Sequence, residues 1–492
     1  MSTLEISIFS ILLLCLMGFF VPLCKRPKIL QYLPVFAFGL CVFHFFQHQY
    51  RWQMLLPYTF SVFLMLICLY SSKQTEKVNP STGKKILVCL TSFLGILILG
   101  ISAAMAWLFP LVSLPAPDGL YAVGVSRFSV KDIQREEIFT KDAEDKREIS
   151  VQVWYPGEKK ESIPASYWDN ASVLSALQAK SFGLPFFLFE YLSLVQTNSY
   201  WNIPVSKAKD KYPVIIFSPG FSSLCQDYTI QIENLASHGY IVCAIAHTYE
   251  TLAAFFPDGR IIPYSQELQD TFFSHAQKAT PLWKEYIASK DIKEKEAIVK
   301  KILHQDDFLD KNLRIRVADI HLVFRELEKI QSGQRLNILV GKLDMSSSAV
   351  IGHSLGGASA VQAALEDSHY KAAINMDGFQ AGDMVLGKQP KCPVMMMYSE
   401  PFSGVNDFLF MPVRKEDCIL TIQGSLHMNY SDNPFLFPIT RILGSAGRID
   451  PCRMNSLVNK YLLAFFDKHL KADKSPFPPS FPEAKIESFS DK

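Results

Sequence analysis

The first 112 residues contain four apolar runs, roughly Ile6–Leu23, Ile29–Phe46, Met54–Tyr70 and Ile86–Leu111, separated by short polar loops. Each is close to the ~20 residues that cross a hydrocarbon core as an α-helix. Inside a bilayer every backbone N–H and C=O must be bonded within the chain, so a helix is the form such a run takes. A single run would fit a buried core helix. Four in succession predict four transmembrane helices. Lys25, Arg26 and Lys28 lie in the first loop, Arg51 stands alone in the second, and Lys73, Lys77, Lys84 and Lys85 crowd the third. The positive-inside bias then places loops one and three in the cytoplasm. The N-terminus and everything after Val112 are expected on the extracytoplasmic side. No Lys or Arg precedes Lys25, so the first run lacks the basic region of a signal peptide and is expected to be retained.

Pro-Ala-Pro-Asp-Gly at 115–119 marks the boundary between a helical region, 1–115, and a second domain, 116–492. Lys+Arg 49 against Asp+Glu 47 leaves no basic excess, and no nucleic-acid-binding motif is present, so no nucleic-acid partner is expected. The ten cysteines show no metal-ligand spacing, and neither a metal nor a cofactor is expected. In the second domain, strand-like segments fall at Ser126–Phe139, Ile149–Tyr155, Val214–Phe217, Ile241–Ala246, Ala349–Ile351, Ala372–Met376, Val394–Tyr398 and Ile419–Ile422. A helix between the Val214 and Ile241 strands makes a β-α-β unit, so the sheet is parallel there. Arg314–Ile330 and Leu457–Leu470 read as amphipathic helices, and 283–305 as a charged helical insertion. The apolar stretch Phe182–Val195 is too short and too interrupted to span a bilayer. It reads either as a core-packing helix or as a lid or interfacial segment.

The chemistry is concentrated at Gly352-His353-Ser354-Leu355-Gly356, between the Ala349–Ile351 strand and a small-residue helix from Gly357. A strand, a G-x-S-x-G turn and a helix form a nucleophile elbow, which lifts the Ser oxygen to the top of a sheet. The fold class implied is α/β: an α/β-hydrolase fold, with a mostly parallel sheet and helices on both faces, preceded by the all-α membrane region. Ser354 needs a base, and the base needs a carboxylate. Only His369, His427 and His469 follow Ser354. His427, in the loop after the last strand, stands where this fold puts its base. Asp377 and Glu400 each follow a strand directly, and both remain open as the acid. The Leu355 N–H and the Phe221 N–H, in the Pro219-Gly220-Phe221 loop, are the candidate oxyanion donors. His247, ending a strand on the same edge, is expected either to brace a loop or to contact substrate, and Phe379, two residues past Asp377, is a further candidate for substrate contact.

With these residues in place, the second domain resembles the group II platelet-activating factor acetylhydrolase family of serine esterases. The matching segments are Val151–Pro156, Val214–Phe221, Leu235–His247, Arg316–Leu327, Val350–Ala358, Ala373–Phe379 and Gly424–Asp432, in family order. The resemblance implies Ser354, Asp377 and His427 as the triad, with the Phe221 and Leu355 amides as the oxyanion hole. It implies hydrolysis of the sn-2 acyl ester of phospholipids with short or oxidised chains, without calcium. Thr248-Tyr249-Glu250 stands where the family often has an Arg-Asp pair. The expectation is therefore a membrane-anchored ester hydrolase acting on a lipid or small ester. The rival readings are a broad carboxylesterase or peptidase of the same fold, and a catalytically silent membrane receptor.

Overall fold

The computed structural model describes residues 2–18, 28–48, 51–72, 82–158, 162–305, 307–409, 414 and 416–488, which divide into two compact units. The first comprises Met1–Ser113, Ser166–Val195 and Leu436–Ile439. Its helices α1 (Thr3–Gly18), α2 (Lys28–His48), α3 (Leu55–Ser72) and α4 (Thr82–Leu108) follow the four apolar runs. Among the described residues, two segments are long and apolar enough to cross a membrane, Trp52–Tyr70 and Ile86–Leu108, whereas Thr3–Gly18 and Tyr32–Gln47 are apolar but shorter. The loop cations Lys25, Arg26, Lys73 and Lys77, on which the expected orientation leans, lie outside the described residues, as does the end of the first run.

One end of this unit is tied together by buried polar groups. Arg51 pairs with Glu5 at the start of α1, and its Nη2 donates to the Phe109 carbonyl just past α4 at 2.8 Å. Gln53 Nε2 donates to the same carbonyl at 3.2 Å, and Ser102 Oγ to the Gln53 carbonyl at 2.7 Å. Phe182–Val195 is not one helix. Helix α5 (Ala171–Phe182) turns through 115° into the 3-10 turns Phe186–Leu188 and Glu190–Leu194. Phe189, Tyr191, Leu192 and Val195 are buried, with Phe187 edge-on to Trp52 at 5.2 Å, while Phe182, Leu184 and Phe186 stay exposed.

The second unit is built on a sheet of ten strands among the described residues. They are β1 (Ala122–Glu136), β2 (Lys146–Gly157), β3 (Ser199–Trp201), β4 (Tyr212–Ser218), β5 (Ile241–Ala246), β8 (Leu343–His353), β9 (Tyr370–Met376), β10 (Val394–Ser399), β11 (Cys418–Ile422) and β12 (Ala484–Ser488). A separate hairpin joins β6 (Ala253–Phe255) and β7 (Ile261–Pro263). The sheet order is β12-β11-β10-β9-β8-β4-β5-β2-β1-β3, and the run from β5 to β11 is parallel throughout. The helices are α6 (Thr229–Ser237), α7 (Gln266–Ala288), α8 (Ile292–Gln305), α9 (Asp307–Gln331), α10 (Leu355–Glu366), the single turns α11 (Asn433–Leu436) and α12 (Ile439–Ile442), and α13 (Pro451–Leu470).

Both faces of the parallel strands are covered, which is why they read as unbroken apolar runs. In β4, Val214 and Ile216 join the core beneath α9 and α10, whereas Ile215 and Phe217 join the core beneath α6 and α13. The expected strand centres are all present. The helical insertion is longer than 283–305, because α7 begins at Gln266.

Candidate active site

Parallel strands present their carboxyl ends on one edge of a sheet, and ligands of such sheets bind there. Ser354 follows β8, Asp377 follows β9, Glu400 follows β10, His427 lies beyond β11 and Phe221 beyond β4. The turns on this edge are strained. Ser222, Tyr249, Ser354 and Asp377 have φ of +60°, +70°, +57° and +54°, although none is glycine. Such conformations cost roughly 1–3 kcal/mol each and persist only where the surroundings over-determine them.

At Ser354 the surroundings are steric. A Cβ on Gly352 would collide with the Gly356 backbone, and one on Gly356 would collide with the Ser218 carbonyl oxygen. The elbow can therefore close only with glycine at both positions, and closing it brings the start of α10 against the end of β4. Gly356, Gly357, Ala358, Ser359 and Ala360 are all buried, so α10 approaches the sheet closely. The Ser354 N–H is held by the Met376 carbonyl at 2.9 Å. Leu355 is the first residue of α10, where a helix leaves N–H groups without intrahelical partners.

Asp377 meets His427: Oδ2 lies 2.8 Å from Nδ1. The same carboxylate accepts the Ser399 N–H at Oδ1 (2.6 Å) and the Ser399 hydroxyl at Oδ2 (2.9 Å), so its orientation is set from β10. Glu400, the other sequence candidate, turns away. Its Oε2 accepts the Gly424 N–H at 2.6 Å and approaches Arg448 at 3.9 Å, and it has no bond to His427. His369 precedes β9, at the opposite edge, and pairs with Asp367 at 2.6 Å. His469 lies on α13.

His247 does not reach the substrate side. It is 1% exposed, with Nδ1 2.9 Å from Asp319 Oδ2 and Nε2 2.9 Å from the Ser218 hydroxyl. Of its two expected roles, the geometry leaves bracing a loop. Asp319 also takes Arg147 at 2.6 Å and Arg135 at 2.7 Å. Burial alone would raise its carboxyl, but Arg147 and His247 outweigh burial and hold it well below the ordinary carboxylate range. Burial, reinforced by the Arg316 charge, lowers the His247 imidazole.

Phe379 packs edge-on against Trp283 at 5.0 Å, and Trp283 packs the same way on Phe402 at 5.3 Å. Phe221 stacks on Phe272 at 4.2 Å. Helix α7, which carries both Phe272 and Trp283, therefore sets aromatic rings beside the β4 loop at one end and the β9 loop at the other. Sequence reasoning missed Phe272, although the Phe272-Phe273 pair in a polar helix was the available signal. It also missed Tyr228 and Arg316, which hold the β4 loop. Among the described residues no group of three or more His, Cys, Asp or Glu side chains is arranged to hold a metal ion.

A family model described as platelet-activating factor acetylhydrolase, isoform II, matches residues 108–477. The platelet-activating factor acetylhydrolase of Cavia porcellus is 29% identical over 350 residues, covering 66% of this chain and 73% of that protein. That of Canis lupus familiaris is 28% identical over 338 residues, covering 65% and 71%. Among solved structures, a ferulic acid esterase from Streptomyces cinnamoneus superposes with a TM-score of 0.58 at 23% identity, covering 77% of this chain and all of that one. That likeness is one of fold.

Proposed function

This chain belongs to the platelet-activating factor acetylhydrolase, isoform II, family and is an ester hydrolase, and we propose that it is membrane-anchored and works through Ser354, His427 and Asp377. The observation that carries the reading is the 2.8 Å bond between Asp377 and His427, on the edge where the strained elbow presents Ser354. A carboxylate on Nδ1 keeps the proton there, so Nε2 is left bare to take the proton of Ser354 Oγ. Ser354 attacks the acyl carbonyl, and the Phe221 and Leu355 N–H groups hold the oxyanion. His427 returns the proton to the departing alcohol, and water then releases the acyl-enzyme by the same steps.

The substrate we infer is the sn-2 acyl ester of a phospholipid with a short or oxidised chain. The aromatic rings of Phe221, Phe272, Trp283 and Phe379 offer apolar surface beside both catalytic loops. Tethering would hold the site near the outer bilayer surface. Glu5, Arg51 and Phe109 meet at one end of the helical unit, and this supports a topology with the N-terminus and the end of α4 on a common side. The exposed Phe182, Leu184 and Phe186 belong to the same unit and suit the bilayer interface.

Profiling tests the substrate. The full chain in vesicles should hydrolyse a phospholipid carrying sn-2 acetyl and leave sn-2 palmitoyl intact. Faster turnover of long-chain p-nitrophenyl esters or peptides than of the sn-2 acetyl lipid would favour a broad carboxylesterase or peptidase instead.

A further inference from the structure

An oxyanion donor must be both free and aimed, and a loop N–H is neither unless the peptides around it are tied down. In the loop after β4 the ties fall on the peptide preceding the donor. The Pro219 carbonyl accepts from Arg316 Nη1 at 2.6 Å, and the N–H at the other side of that peptide group, on Gly220, donates to the Tyr228 hydroxyl at 3.0 Å. Beyond it, the Gly220 carbonyl accepts the Ser223 N–H at 3.2 Å, and the Ser222 N–H donates to the Glu250 carbonyl at 3.0 Å. Among the described residues this leaves the Phe221 N–H with no protein acceptor.

Both ties are backed by buried groups. Arg316 is 1% exposed, and its Nε donates to Glu250 Oε2 at 2.7 Å. Glu250 is itself fully buried, with Arg147 3.8 Å from its other oxygen. On the other side, Tyr228 Oη lies 2.8 Å from His353 Nδ1, and His353 Nε2 lies 3.1 Å from the His427 carbonyl. A carbonyl only accepts, so Nε2 carries the proton and Nδ1 is bare. Tyr228 must then donate to Nδ1, which turns its oxygen toward the Gly220 N–H. Burial, with His427 nearby, holds the His353 imidazole well below its ordinary value, so this direction persists at neutral pH.

We propose that Arg316 and Tyr228 are positioning residues for the oxyanion hole: they clamp the Pro219–Gly220 peptide at both polar atoms so that the next N–H, on Phe221, faces the reacting carbonyl. His353 ties the same clamp to the backbone of His427, so donor and base are set by one chain of bonds. Glu250, in the segment where the family's Arg-Asp pair is replaced, supplies the counter-charge that fixes Arg316. The proposal rests on the reading of Phe221 as an oxyanion donor.

The test compares p-nitrophenyl acetate with its thiono analogue, whose sulfur is a poorer hydrogen-bond acceptor in the tetrahedral intermediate. The detergent-solubilised full chain is used, with melting curves showing that each variant is folded. Removing one whole oxyanion donor costs about 10²–10³ in kcat. A displaced donor should cost less, so Tyr228→Phe and Arg316→Lys should each lower kcat on the oxo ester by about 10-fold, with KM within about two-fold. Both should shrink the oxo-to-thiono rate ratio by a similar factor, which a merely structural role would not do. Equal losses on the two esters, or no loss, would overturn the proposal. If Arg316→Lys does not fold, Tyr228→Phe decides alone. Phe221→Pro, which deletes the N–H, separates the premise from the proposal. An unchanged ratio in folded Phe221→Pro sinks the reading of Phe221. A collapsed ratio there, with Tyr228→Phe and Arg316→Lys at the wild-type ratio, sinks only the clamp.

Discussion

Asp377→Asn changes one atom in the site and should nearly silence it. Oδ1 of Asp377 accepts the Ser399 backbone N–H at 2.6 Å, a partner that can only donate. The Asn amide oxygen is therefore drawn to that position, and the NH₂ takes the place of Oδ2, facing His427 Nδ1 at 2.8 Å. An NH₂ facing Nδ1 favours the tautomer with its proton on Nε2, and an Nε2–H cannot accept the proton of Ser354. The opposite rotamer would set two donors against each other at Ser399 and leave a buried N–H unpaired, at about 1–3 kcal/mol. The active tautomer is thus rare, and it also lacks the charge that stabilises the imidazolium. The same substitution in a Ser-His-Asp protease lowers kcat by about 10⁴, which is roughly 5.4 kcal/mol of barrier. Steady-state kinetics on p-nitrophenyl acetate should show a loss of that order in kcat with little change in KM or melting temperature. A folded variant that lost less than about ten-fold would refute the assignment of Asp377 as the orienting acid.

Three further outcomes follow from the same geometry. Glu400→Gln keeps an acceptor for the Gly424 N–H and touches nothing at His427, so kcat should stay within about three-fold of wild type; a loss comparable to that of Asp377→Asn would reopen the choice between them. Gly356→Ala places a methyl group into the Ser218 carbonyl oxygen, an overpacking cost of about 1–3 kcal/mol or more, read as a lower urea midpoint. His247 and His353 are both lowered below the ordinary value near 6.5, so below that pH the unfolded chain binds protons that the folded one refuses, and stability falls. The limit for each is one proton of difference, a slope of about 1.4 kcal/mol per pH unit, and the deeper-lowered His353 comes nearer to it. In urea titrations His353→Gln should shed one such slope as pH falls from 6.5, and an unchanged slope would contradict a neutral buried His353.

The parts of the fold read correctly from sequence are those where one physical rule dominates. Strands such as Ile241–Ala246 and Val394–Ser399 are covered on both faces, so they appear as short apolar runs bounded by turn residues. The elbow is legible because its glycines answer to backbone collisions, which tolerate nothing else. Helix α7 was seen only from residue 283 because its first half exposes phenylalanine and mixes polar residues into both faces. β12, Ala-Lys-Ile-Glu-Ser, is an edge strand with one half-buried face, and its five residues are too few to show a period.

At the site, order along the chain narrowed the base to His369, His427 and His469, and the loop after the last strand, where this fold puts its base, singled out His427. The choice between Asp377 and Glu400 was not legible from the residues themselves, because both follow parallel strands, and only in space does Asp377 meet His427 while Glu400 is drawn to the Gly424 amide. The buried charges were harder still. Arg316 occupies the apolar stripe of α9 with Leu313, Val317, Ile320 and Leu327, and a cation on such a stripe is the signal that a buried partner awaits it. Its partner, Glu250, lies 66 residues earlier and carries no local mark.

The central claim is that Ser354 is the nucleophile, and covalent labelling addresses it most directly. The detergent-solubilised full chain, treated with a fluorophosphonate and digested, should carry the phosphonyl group on Ser354 within the Gly352–Gly356 turn. Ser354→Ala should remain unlabelled and should not hydrolyse p-nitrophenyl acetate above background. Label on a different residue, or wild-type hydrolysis surviving in Ser354→Ala, would contradict the account.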